Sequence, residues 1–144
     1  MSLKTSFSSL MHSSTLHLSI PSSLEEVELL HARLVTFISE NGFTDALKMR
    51  AELAIIEALT NAIRHGNQHD PLKMVELKLW TSPNILTCEV SDQGEGFDPE
   101  KVADPLVSDN LLKTGGRGVF LLREMADEAT FENGGRVIRM VFRE

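Results

Sequence analysis

Apolar and polar positions along the chain follow two periods. In Thr15–Ile20, Leu16, Leu18 and Ile20 share one parity, which predicts a strand with one covered face. Val27, Leu30, Leu34, Phe37 and Ile38 recur every three or four residues and predict a helix. Ser23 and Glu26 precede it at capping-box spacing, and Asn41-Gly42 supplies a stop. A second helix is predicted from Thr44 or Asp45 to about His65, ended by Gly66. Ala51, Leu53, Ala54, Ile55, Ile56, Ala58, Leu59, Ala62 and Ile63 make it apolar around most of its circumference, as in a helix buried on more than one side.

Two strands, Met74–Trp80 and Ile85–Asp92, are predicted to flank a turn at Thr81-Ser82-Pro83-Asn84. A loop follows from Gln93 to about Gly116, then a helix over Gly118–Met125. Ala129–Glu132 and Val137–Arg143 read as a closing hairpin around Asn133-Gly134-Gly135. Strands joined by hairpins beside helices, with no internal repeat, argue an α+β two-layer sandwich. Residues 1–15 hold eight Ser or Thr, so residues 1–14 read as a weakly ordered lead-in to a single domain over 15–144.

Composition narrows the function classes. The chain has 144 residues, 42% hydrophobic and 24% charged, which is ordinary globular content. A net charge of -7 argues against direct nucleic-acid binding, which needs clustered Lys and Arg. One cysteine, Cys88, excludes an intramolecular disulfide framework and a multi-cysteine zinc site, and favours the cytoplasm. No apolar run reaches the ~18 residues of a membrane span.

Three clusters carry candidate chemistry. Glu57 and Asn61 interrupt the apolar second helix four residues apart, so they share a face; His65 continues that stripe, with Arg64 beside it. An unsatisfied buried polar group costs about 1–3 kcal/mol. The stripe should therefore look into a cleft, a ligand or a metal, and the alternative is that it is the helix's solvent face. Asp92 shares strand parity with Leu86, Cys88 and Val90 and opens the turn Asp92-Gln93-Gly94-Glu95-Gly96-Phe97, whose glycines permit close backbone approach. Gly115-Gly116-Arg117-Gly118 feeds a helix N-terminus, where free N–H groups and the positive dipole end suit phosphate. No Gly-Lys-Ser/Thr follows, so this is not a Walker A loop.

Together these clusters resemble the three boxes of the GHKL (Bergerat-fold) ATPase superfamily. Glu57-Ala58-Leu59-Thr60-Asn61-Ala62 looks like the N box. Asp92-x-Gly94-x-Gly96-Phe97 looks like the first glycine box, and Gly116-Arg117-Gly118-Val119-Phe120-Leu121-Leu122 like the second. Within the superfamily, Asn61-Ala62-Ile63-Arg64-His65-Gly66-Asn67 and Asn110-Leu111-Leu112-Lys113 resemble the bacterial anti-sigma factors that are also serine-protein kinases. A two-component histidine kinase would add a dimerisation helix pair. Residues 1–44 have room for one helix only.

The resemblance implies a fold, a reaction and roles. The fold would be a mixed, mostly antiparallel sheet covered on one face by helices. The activity would be ATP-dependent Ser/Thr phosphorylation of a small anti-sigma-factor antagonist, coupled to sequestration of a sigma factor, in a homodimer. The alternative is a non-catalytic, ATP-dependent anti-sigma or regulatory binding module. Glu57 would be the general base and Asn61 the Mg²⁺ ligand. Asp92 would read the adenine amine, and Gly94, Gly96 and Phe97 would line its turn. Residues 98–116 would form the ATP lid, with Lys113 a lid cation. Gly116, Arg117, Gly118 and Val119 would meet the phosphates, with Arg64 and His65 beside the nucleotide. One departure stands out. Many GHKL proteins carry a supporting Thr near the adenine pocket, whereas Gly135-Arg136-Val137-Ile138 has no hydroxyl there.

Overall fold

The computed structural model describes residues 13–96 and 116–144. Most of the expected lead-in, nearly all of the expected lid, and Phe97 and Lys113 lie outside the described residues. The elements run β1 (Thr15–Pro21), α1 (Leu24–Glu40), α2 (Asp45–Asn61), a π-helical turn (Ala62–Gly66), β2 (Met74–Ser82), β3 (Ile85–Ser91), α3 (Gly116–Met125), β4 (Glu128–Glu132) and β5 (Val137–Arg143).

The five strands form one sheet in the order β1-β2-β3-β5-β4. All four ladders are antiparallel, so the described sheet lacks the mixed character the resemblance implied. Register stacks the inward positions in rows. Leu77, Val90 and Ile138 form one row and Leu79, Cys88 and Met140 the next. All six are 5% exposed or less. The opposite parity carries most of the polar strand positions: His17, Lys78, Glu89 and Arg139 share one row, and Arg139 lies over the Trp80 ring. A sheet with one apolar face must cover it, and α1, α2 and α3 do so.

The helices seat where their apolar spacing demands. Val27, Leu30, Leu34 and Ile38 of α1 are buried, as are Leu47, Ala51, Ala54, Ile55, Ala58 and Leu59 of α2. Full burial of each Leu or Ile contributes about 1.5–3 kcal/mol. The small alanines let α2 settle close to the sheet. One expectation fails locally. Ser23 makes no side-chain cap bond, so the capping box is not formed. Met49 and Leu53 of α2 are 64% and 48% exposed, so the helix also has one face to solvent.

Loop chemistry explains the boundaries. Thr44 caps α2, its Oγ1 accepting from the Leu47 N–H at 3.2 Å. β3 starts at Ile85 as expected, but β2 runs two residues past Trp80 to pair Ser82 with Ile85, because Asn84 adopts φ +62° and tightens the turn. Asn133, Gly134 and Gly135 all have positive φ and turn β4 back into β5.

Arg50 of α2 ties the far end of the domain together. It donates to the Met125 carbonyl at 2.9 Å, to Asp127 Oδ2 at 3.3 Å and to the Arg143 carbonyl at 3.0 Å. The Arg143 N–H donates to Asp127 at 2.6 Å. That N–H first, then the Arg50 guanidinium, holds the Asp127 carboxyl below its usual range. A depressed folded-state pKa adds stability above the unfolded value, about 3.9, that is lost as pH falls through the folded one. Asp127→Asn should therefore lower Tm at neutral pH, with the gap to wild type closing in acid; thermal melts across pH check this.

Candidate nucleotide and phosphoryl-transfer site

The site assembles where α2, the turn after β3 and the start of α3 meet. Glu57 and Asn61 sit one helical turn apart on α2, both half-buried. Gly118 of α3 lies directly against them. A Cβ added there would come 2.5 Å from Glu57 Oε1 and 2.6 Å from Asn61 Nδ2. A side chain at 118 would displace the ends of Glu57 and Asn61 from this position. Among the described residues, no buried side-chain nitrogen or oxygen lacks a partner. Glu57 and Asn61 are themselves partly exposed.

The chain leaves α2 through the π-helical turn, where the Asn67 N–H reaches the Ala62 carbonyl at 2.7 Å. Such turns are frequent at functional sites. Here it takes Arg64 and His65 off the Glu57–Asn61 line, and both side chains are exposed. It also delivers Gly66 to Asp92. A Cβ on Gly66 would lie 2.5 Å from Asp92 Oδ2.

Asp92 is half-buried at the end of the inward row of β3. Its Oδ1 accepts from the Gly94 N–H at 2.8 Å, closing the turn. Burial raises its carboxyl above the usual range; the Gly94 N–H, Arg136 and Lys73 oppose that rise. Gly94 packs on the Gly66 carbonyl, and Gly96, at φ +83°, packs on the Gly134 carbonyl, so each position is closed to a side chain.

Two residues that hold this arrangement were not among the sequence-based candidates. Asn67, 1% exposed, donates to Ser22 Oγ at 2.9 Å and to the Met74 carbonyl at 3.0 Å. Its amide oxygen accepts from the Gln93 N–H at 2.7 Å. Arg136 donates through Nε to the Gly94 carbonyl at 2.7 Å and through Nη2 to the Glu95 carbonyl at 2.9 Å. Backbone carbonyls leave no mark in residue order, so only the position of Asn67 beside the N box could have pointed to its role.

The donors suit Mg-ATP. The amide oxygen of Asn61 is a hard, neutral oxygen donor of the kind Mg²⁺ takes alongside phosphate. Among the described residues, no group of three or more His, Cys, Asp or Glu could hold a metal alone. The half-buried Asp92 offers a carboxylate to a base. Val119 is buried at the first turn of α3, beneath the N-terminus where phosphate would lie.

Comparison with known proteins identifies the family. The histidine kinase-like ATPase domain matches residues 20–142. Serine-protein kinase RsbW of Staphylococcus epidermidis is 31% identical over 130 residues, spanning 85% of this chain and 82% of that protein. The Staphylococcus aureus (strain MSSA476) protein of the same name is 29% identical over 129 residues, covering 84% of this chain and 81% of that protein. In the crystal structure of the RsbU and RsbW domains of Rv1364c from Mycobacterium tuberculosis, the fold recurs with a TM-score of 0.64 at 15% identity. That match covers 90% of this chain and 32% of the longer one, and it speaks for the fold alone. With the Glu57–Asn61 stripe set against the start of α3 and the domain match running from β1 to β5, this chain belongs to the histidine kinase-like ATPase domain family and, within it, to the RsbW serine-protein kinases.

Proposed function

We propose that this protein transfers the γ-phosphoryl group of ATP to a serine or threonine of a small antagonist protein and, as an anti-sigma factor, holds a sigma factor when that antagonist is absent. The observation that carries the reading is the placement of Glu57 and Asn61 against Gly118, at the mouth of a helix N-terminus. Phosphoryl transfer asks the protein mainly to position groups and stabilise charge. Asp92 anchors the base end of the nucleotide, and Asn61 the phosphate end. The N-terminus of α3 presents unpaired N–H groups to phosphate oxygens. Glu57, one turn from Asn61, accepts the proton of the attacking hydroxyl. Mg²⁺, held through the Asn61 amide oxygen, would neutralise phosphate charge when bound.

The partners follow from the family reading. An acidic protein of net charge -7 suits a basic, DNA-binding sigma factor. No helix among the described residues is long and apolar enough to cross a membrane, in keeping with a cytoplasmic role. Cys88 is fully buried and its thiol is pushed far above its usual range, so it offers no reactive thiolate.

The test is a pull-down from the native host with and without ATP, followed by phosphopeptide mapping of the bound proteins. A small partner that gains phosphoserine or phosphothreonine only with ATP, and a sigma factor retained in its absence, is the expected result. Retention of a sigma factor with no phosphate transferred to any partner would instead establish the sequestration-only alternative.

A further inference from the structure

The stretch 135–138, which has no hydroxyl, instead places an arginine on the first glycine box. Arg136, the residue before β5, brackets the first glycine box through both main chain and side chain. Its carbonyl accepts from the Asp92 N–H at 2.9 Å. Its guanidinium donates to the carbonyls of Gly94 and Glu95 at 2.7 and 2.9 Å, and to that of Asn133 at 3.2 Å. Gly94 is thereby held at both ends, its N–H by Asp92 and its carbonyl by Arg136.

We infer that Arg136 is a positioning residue for base recognition: it locks the Asp92–Gly96 turn onto the β4–β5 turn so that the Asp92 carboxylate meets the nucleotide base in one orientation. The inference rests on the proposed reading of Asp92 as the base contact. Three carbonyls in different directions suit the planar fork of an arginine, and a lysine point charge cannot reproduce them. The same guanidinium acts on charge. Among the described residues, the charged groups acting on Asp92 are Arg136, just before β5, and Lys73, just before β2, while Gly66 packs on its carboxylate from a third side. Both cations favour the ionised carboxylate that an adenine amine needs, against the burial that opposes it. The far end of the lock is the Asn133–Gly135 turn, where Gly96 already packs on Gly134. The edge hairpin β4–β5 therefore templates the nucleotide turn.

The test uses the full chain and calorimetric titration with ATP and with GTP across pH, alongside Asp92→Asn as a reference. Arg136→Met should weaken ATP binding roughly 10–100-fold and narrow the preference for ATP over GTP. It should also move the acidic limb of ATP binding upward by about one pH unit, the low end of a neighbouring cation's effect on a carboxylate. Arg136→Lys, which keeps the charge, should hold that limb at its wild-type position yet still bind ATP more weakly. A merely structural arginine would lower Tm in both variants and leave base preference and the pH limb unmoved, and that result overturns the inference. If Arg136→Met does not fold, Arg136→Lys decides alone: wild-type ATP affinity in it overturns the proposal. Two further outcomes separate the underlying readings. Wild type binding ATP while Asp92→Asn binds equally well removes Asp92 as base contact and the Arg136 role with it. Wild type binding no nucleotide overturns the site as a whole.

Discussion

Glu57→Gln is expected to leave ATP affinity within about twofold of wild type and to slow phosphoryl transfer on the order of 10²–10⁴-fold. The substitution preserves shape and keeps an oxygen facing Gly118, so the packing of α3 against α2 is retained. What it removes is a site that takes a proton. An amide cannot accept the proton of an attacking hydroxyl, whereas the carboxylate it replaces can. Asn61, one turn further on, is left to its own task, so binding and transfer should separate. Calorimetry gives the affinity; single-turnover transfer from labelled ATP to the partner recovered by pull-down gives the rate. Transfer at the wild-type rate would mean that Glu57 is not the base. Loss of ATP binding together with transfer would mean that Glu57 holds the nucleotide and does not act on the hydroxyl.

Asp92→Asn is expected to weaken ATP binding about 100-fold while raising the stability of the nucleotide-free protein at neutral pH. The two effects have one origin. The Gly94 N–H fixes an acceptor at the Oδ1 position, so an asparagine there keeps its oxygen on Gly94 and turns its NH₂ toward the base. A donor then faces the donor amine of adenine. The loss is that of a hydrogen bond to a charged group, roughly 1.5–3 kcal/mol, or about 10–100-fold, with the donor–donor contact taking it to the upper end. Stability moves the other way because burial raises the Asp92 carboxyl. A carboxyl whose folded pKa exceeds its unfolded one binds its proton more tightly in the folded chain. Stability then falls as pH rises through that window and stays lower above it. Asparagine cannot ionise and escapes this cost, so its melting temperature should exceed that of wild type at neutral pH and converge with it in acid. A lower neutral-pH Tm in the variant would show that the Arg136 and Lys73 attractions outweigh burial.

Residue order alone determined the parts that depend on local periodicity. The two-residue parity of β2 and β3, the helical spacing of Val27 to Ile38, and the Asn133-Gly134-Gly135 turn are properties of short segments, and the structure reproduces them within a few residues. The Glu57–Asn61 stripe was legible for the same reason, since a four-residue separation on a helix places two side chains on one face whatever surrounds it. Tertiary structure decided the rest. The predicted second helix gives way to a π turn at Ala62, which sends Arg64 and His65 to solvent, because Gly66 must reach Asp92 and Asn67 must reach Ser22 and Met74. Leu53 is exposed because the sheet covers only one side of α2, and periodicity does not say how many neighbours a helix has. Arg136 shows the limit most clearly. Its partners are the carbonyls of Gly94, Glu95 and Asn133, groups every residue carries, so no residue type in the sequence could announce them. They become an arginine site only when antiparallel pairing of β3 with β5 brings position 136 opposite Asp92.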